Sequence, residues 1–264
     1  MRMMLWGLSL LSYAWAGWEA ARNRTGAVPF WLCLFLSPLC LVWALQDRPE
    51  GYEAYKRLVR LSMSVALPAG IWLLSRTESM SRLRAWLDAL AQLGMAILWG
   101  MVAAAKGGFP RAAGLLLIAL SGLLMLPYGQ KAALQGERKW AAYTAAAGVC
   151  AIAAGCLAGA AGAEGIAMSL GAMLTGMALG GFSSMEGIRI ARLMTAGVLP
   201  GIYALAQPFA APVYAVTLDM PFFMLFTALV YIPPMVDGRT RRWQGAALLG
   251  FTALYATALR WLGA

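Results

Sequence analysis

Apolar residues run along this chain in blocks of about 20, the length an α-helix needs to cross the hydrocarbon core of a bilayer. Short charged or turn-forming stretches separate the blocks. Ten spanning segments are predicted, over 3–21, 28–46, 59–75, 85–105, 110–128, 140–161, 164–183, 192–211, 214–235 and 243–262. They are punctuated by Arg22 to Thr25, Asp47 to Lys56, Arg76 to Arg84, Lys106 to Arg111, Gly136 to Lys139 and Asp237 to Arg242. The expected fold is all-α, a polytopic membrane protein with short loops, because helices satisfy their own backbone hydrogen bonds where water is absent.

Composition agrees with lipid as the main solvent. Of 264 residues, 61% are hydrophobic and 12% charged, against about 25% charged in a soluble domain. The first segment needs separate treatment, since Arg2, an apolar run and Ala14-Trp15-Ala16 before Gly17 imitate a cleavable signal peptide. It is expected to be retained, because the internal repeat described below requires it.

The net charge of +10 comes from 21 Lys and Arg residues that sit in the gaps and form no basic stripe, so they read as topology signals and not as a nucleic-acid surface. The loops after the first, third, fifth, seventh and ninth segments hold 13 of them, and the other side, with both termini, holds 8. The positive-inside rule then puts both termini outside and Asp237 to Arg242 in the cytoplasm of a plasma (inner) membrane. Cys33, Cys40, Cys150 and Cys156 lie inside apolar segments without the spacing of a metal or redox site. The chain has no histidine, which excludes haem-anchoring subunits, Ser/His intramembrane proteases and most intramembrane zinc sites.

The two halves of the chain resemble one another at an offset of 132, half its length. Arg60-Leu61, Leu67-Pro68 and Leu73 match Arg192-Leu193, Leu199-Pro200 and Leu205. Glu53 with Lys56 and Arg57 matches Glu186 with Arg189, and Asp88 pairs with Asp219 at an offset of 131. The basic turn Lys106 to Arg111 before Gly114 likewise matches Arg239 to Arg242 before Gly245. Two units are therefore expected, 1–132 and 133–264, each of five helices. An odd number of spans makes the second unit enter the membrane upside down, which is an inverted repeat.

With these residues in view, the chain resembles the sodium/calcium exchanger family, the calcium/cation antiporters. The likeness is best over Leu218-Asp219-Met220-Pro221-Phe222, the basic turn Gly238-Arg239-Thr240-Arg241-Arg242, and Trp243-Gln244-Gly245 with Tyr255. Family members carry an Asp-x-Pro entry to the ninth helix and a Trp-Glu-Gly start of the tenth. The opening Leu5-Trp6-Gly7, with Gly17-Trp18-Glu19 and Gly26-Ala27-Val28-Pro29-Phe30, is similar to the family's first helix leading into its second. The family's ion site is built by a Gly-Thr-Ser-x-Pro-Glu break and a Gly-Asn-x-x-Gly-Ser-Asn break in the two halves. Here Gly181-Phe182-Ser183-Ser184-Met185-Glu186 keeps the Gly, a Ser and the acid without the Pro, Cys40 to Leu45 has no acid, and neither half has Gly-Ser-Asn. The resemblance implies an exchanger's scaffold and topology and leaves the cargo open.

An acid held at membrane depth is a functional candidate by default, because burying its charge costs a few kcal/mol. Glu186 is the best placed, with Ser183, Ser184 and the flexible Gly180-Gly181 beside it and Thr175 preceding it; these form the expected transport path. The competing reading makes Glu186 a surface carboxylate paired with Arg189 one turn later, since the repeat aligns it with Glu53 in a polar loop. Asp88 and Asp219 are expected to cap helix starts and Glu19 to anchor an interface. Gly155, Gly159, Gly176 and Gly180 let the sixth and seventh segments pack closely. Pro68 and Pro200, at equivalent repeat positions, are the expected helix breaks; Pro208, Pro212, Pro233 and Pro234 are further kinks.

The function that follows is a carrier in which two inverted units rock about a midplane site and move a small cation or solute by alternating access. The alternative is a non-transporting scaffold that kept the fold. An enzyme on lipid-linked substrates would need more than Asp47, Glu50 and Glu53, so no catalytic residue, resident metal or cofactor is expected. Expected partners are the lipid bilayer, the cargo, and a second copy or another membrane protein.

Overall fold

The computed structural model describes residues 52–75, 77–105, 108–125, 184–212 and 214–261, with helical residues at 4, 8, 11, 12, 14 and 15. Among them there is no strand. In chain order the helices are α1 (Tyr52–Ser64), α2 (Ala66–Ser75), α3 (Arg82–Ala104), α4 (Arg111–Met125), α5 (Ser184–Leu193), α6 (Leu199–Ala206), α7 (Met220–Asp237) and α8 (Arg242–Trp261). Two π-helical segments, Met194–Val198 and Ala215–Asp219, join α5 to α6 and lead into α7. The second, sixth and seventh predicted segments lie outside the described residues.

Two boundaries differ from the sequence expectation. The third segment starts at Tyr52, not 59, so position 53 is helical and not part of a loop. The eighth starts at Ser184, not 192. In both cases a hydropathy criterion stops at the arginines; at the eighth segment the helix runs on through Arg189, which meets Asp88 and Leu124 O, and Arg192, whose Nη1 meets Ser62.

Local chemistry fixes the other ends. Ser81 caps α3 by accepting from the Arg84 N–H at 3.2 Å. Gly238 ends α7 in the left-handed region at φ 69°, with its N–H on the Pro234 carbonyl at 3.0 Å. Gly108, at φ 85°, performs the corresponding turn after α3.

The exposed faces are apolar and the buried faces hold the polar groups. On α3, Leu83, Leu87, Leu90, Ile97 and Met101 are exposed, while Asp88 and Gln92 are buried. On α7, Met224, Leu225, Ile232 and Val236 face out and Thr227 and Tyr231 face in. A water-soluble protein shows the opposite pattern on its surface helices, so this arrangement suits a hydrocarbon surround. Arg82–Ala104 and Ala215–Asp237, 23 residues each, are long and apolar enough to cross it, and Arg111–Leu124 and Ala191–Ala206 are shorter apolar helices.

The helices pack in cross-half pairs: α2 on α8, α4 on α6, and α3 on α7. Glycines set two of these crossings. The Gly70 position on α2 faces the Gly245 carbonyl, and a Cβ on Gly245 would overlap the Gly70 carbonyl and the Leu74 nitrogen. On the other crossing, a Cβ on Gly114 would meet the Gly201 carbonyl at 2.6 Å, and one on Gly201 the Gly114 carbonyl at 2.7 Å. Adding 131 to Gly70 gives Gly201, and adding 131 to Gly114 gives Gly245, so the two crossings exchange halves.

The antiparallel pair α3 and α7 is tied at both ends by short backbone bridges. Ser79 faces Arg239, with Met80 N donating to Gly238 O and Thr240 N to Glu78 O, both at 2.8 Å. At the other end Phe109 faces Phe209 and donates to its carbonyl at 2.6 Å. The loops after the third and ninth predicted segments therefore meet at one end, and those after the fourth and eighth at the other. Around Phe109 the rings of Tyr55, Trp99, Phe209 and Tyr203 form a continuous aromatic cluster, with Phe109 stacked on Phe209 at 4.7 Å.

Candidate functional site

Prolines inside helices free backbone carbonyls, and in a dry core each freed carbonyl needs another donor. Pro200 has no N–H for Ala196 O, and the Trp99 indole donates to that oxygen at 2.7 Å. Pro233 and Pro234 leave Leu229 O and Val230 O without their usual donors, and Gln244 Nε2 reaches both, at 2.7 and 2.9 Å. The irregular backbone leading into α6 and within α7 is thus held by side chains from α3 and α8.

Charged groups occupy the same interior. Arg189 on α5 pairs with Asp88 on α3 at 3.2 Å, both buried, and its Nη2 donates to Leu124 O at 2.6 Å. Breaking one partner of such a pair costs about 3–5 kcal/mol, because the other is left charged out of water.

Arg192 is 1% exposed. Its Nη1 donates to Ser62 O at 2.9 Å and Ser62 Oγ at 3.1 Å, and its guanidinium carbon lies 3.8 and 4.1 Å from the ring centroids of Phe223 and Phe226. Its Nε and Nη2 have no hydrogen-bond partner. No carboxylate among the described residues forms an ion pair with it.

A third centre lies where the π-helical turn Ala215–Asp219 widens the entry to α7. Asp219, 1% exposed, accepts from the Tyr255 hydroxyl at 2.9 Å through Oδ1, and its Oδ2 has no partner. Tyr55, Tyr214 and Arg60 lie within electrostatic reach of this carboxylate or of its tyrosine. Extra backbone turns of this kind recur at functional sites.

Several sequence expectations are corrected here. Asp88 does not cap a helix: Ser81 does, and Asp88 lies about two turns further in, held by Arg189. Asp219 is a helix-start residue that makes no capping bond and instead binds Tyr255. Arg189 and Arg192 are not topology signals in a gap, since both are buried inside a helix. Arg189 takes Asp88 as its partner, a contact 101 positions away that no local spacing reveals. The signal that was available is the recurrence of Arg60 with Arg192 and of Asp88 with Asp219 at nearly one offset.

Of the predicted transport-path residues, Thr175 and Ser183 lie outside the described residues. Ser184 and Glu186 fall in the first turn of α5, where the backbone alone is described. The Met185 N–H beside them donates to Glu78 Oε2 at 3.3 Å, so the α5 start sits against the α2–α3 loop. Pro68 is the third residue of α2, and Pro200 is the second residue of α6, just after the π-helical segment Met194–Val198. Cys33, Cys40, Cys150, Cys156, Glu19 and the glycines from 155 to 181 lie outside the described residues. Among those described, no group of three or more His, Cys, Asp or Glu could hold a metal ion.

No family model matches the chain, and no curated protein matches it. Among solved structures, the sodium-calcium exchanger NCX_Mj, in a structure soaked with zero Na+ and Ca2+, superposes with a TM-score of 0.58. The match covers 98% of this chain and 98% of that one at 15% sequence identity. The chain shares the fold of that structure over nearly its whole length.

Proposed function

We propose that this chain is a secondary carrier of exchanger-like architecture that moves a small charged solute across a membrane by alternating access. The observation that carries the proposal is the set of ionisable groups, Asp88, Arg189, Arg192 and Asp219, buried between helices whose outer faces are apolar. Intramembrane charges are costly and mark solute pathways by default. The likeness to a sodium-calcium exchanger supports an antiporter-like carrier, with cation exchange as the first activity to assay.

The working unit in this reading is a pair of inverted five-helix repeats, 1–132 and 133–264, making ten spans. The exchange of Gly70–Gly245 for Gly201–Gly114 at an offset of 131 supports it. Rocking of the halves would bend the chain at Pro68 and Pro200, and the path would run past Thr175, Ser183, Ser184 and Glu186. Both termini would lie outside a plasma membrane, following the loop charges.

The test is flux through purified protein in liposomes, with Na+ or Ca2+ as tracer, for the native chain and for Glu186→Gln. Gradient-driven uptake that Glu186→Gln abolishes is the expected result. Equal uptake by both would remove Glu186 from the path, and no uptake of any ion tried would leave the non-transporting scaffold as the function.

A further inference from the structure

Of the two buried arginines among the described residues, Arg189 and Arg192, only Arg192 has no described carboxylate paired with it. Arg189 is matched by Asp88, and Arg60 acts on Asp219. Arg192 is held instead by neutral groups, Ser62 on one side and the rings of Phe223 and Phe226. The geometry of what is left open is specific. Nη1 is anchored, whereas Nε and Nη2, the two nitrogens whose N–H bonds point the same way, both lack an acceptor. That edge is the fork with which a guanidinium grips two oxygens of one carboxylate or phosphate.

We propose that Arg192 binds a small oxyanion, a carboxylate or phosphate group, through its Nε and Nη2. A fully buried arginine without a counter-charge is expensive, and an anion on the open edge supplies both the missing charge and the two missing acceptors. The equivalent arginine of the other half, Arg60, also carries a buried Nε without a partner, which places a second open donor at the matching repeat position. Ser62 and the two rings fix the guanidinium plane, so the fork is pre-set before the ion arrives. The proposal rests on the carrier reading for one element only, the opening of the halves that lets an ion reach a buried edge.

Binding is measured without flux, so that its failure and the failure of transport are separate results. The full chain, purified in detergent, is melted in acetate, phosphate and chloride of equal ionic strength. A saturable rise in Tm in acetate or phosphate over chloride is expected, and the anion that produces it tells which headgroup fits. Arg192→Lys keeps the charge and loses the fork, and should raise the half-saturating concentration by about tenfold or more. Should that variant not fold, Ser62→Asp serves in its place: a tethered carboxylate on the same guanidinium should remove the response to added anion. Equal Tm of the native chain in all three salts, or an unchanged response in both variants, would overturn the site.

Discussion

A carbonyl freed by proline is a local fact of the sequence, but its replacement donor is not. Pro233 and Pro234 are visible as kink positions, whereas nothing near them names Gln244, which satisfies both Leu229 O and Val230 O from the next helix. Removing that donor leaves two buried acceptors open, at about 1–3 kcal/mol. Gln244→Leu should therefore lower stability by that amount in thermal melts of the detergent-solubilised protein. The loss should shrink to about 1 kcal/mol or less in a Pro233→Ala, Pro234→Ala background, where the alanine N–H groups close the helix again. An undiminished loss would assign Gln244 to the α8 cap, where its Oε1 accepts from the Arg241 N–H. The same gap between local signal and distant partner explains the misreading of Asp88: position near a segment start suggested a cap, and only the fold brings Arg189 to it.

Helices as elements were the most legible part of the chain. Their boundaries were right within a few residues for α3, α4, α7 and α8 and wrong where an arginine interrupted an apolar run, as at the half-buried Arg60 and the buried Arg192. The π-helical segments had no sequence signal beyond the nearby prolines. Glycines were read as permitting close approach, and two of them test how literal that is on a single helix, α8. Gly245→Ala forces a methyl against the Gly70 carbonyl and the Leu74 nitrogen, both backbone, and should cost about 1–3 kcal/mol through strain. Gly250 has open space where a Cβ would stand, so Gly250→Ala should add up to about 1 kcal/mol of helix stability. Equal melting shifts for the two would mean that the α2–α8 crossing is loose.

At the scale of the molecule, the offset of 132 is a pattern in the sequence, whereas the packing of α2 on α8, α3 on α7 and α4 on α6 has no sequence signal. The bridge between Ser79 and Arg239 gives a handle on that connection. Its flanking hydrogen bonds make it a non-bonded antiparallel pair, with Cα atoms about 4.5 Å apart, within the range a disulfide spans. In a chain with its four cysteines replaced by alanine, Ser79→Cys with Arg239→Cys should cross-link on oxidation. If the halves move relative to one another at this end, flux in liposomes should fall on oxidation and return with reductant, and unchanged flux in the cross-linked protein would exclude motion there. The crossing of α2 on α8 also bears on biosynthesis. Gly70 leaves the ribosome 175 residues before Gly245, its neighbour in the folded protein, a lag of about 10–35 s at ordinary translation speeds. Throughout that interval the Gly70 face of α2 waits without its neighbour, and α8 is the helix that closes against it.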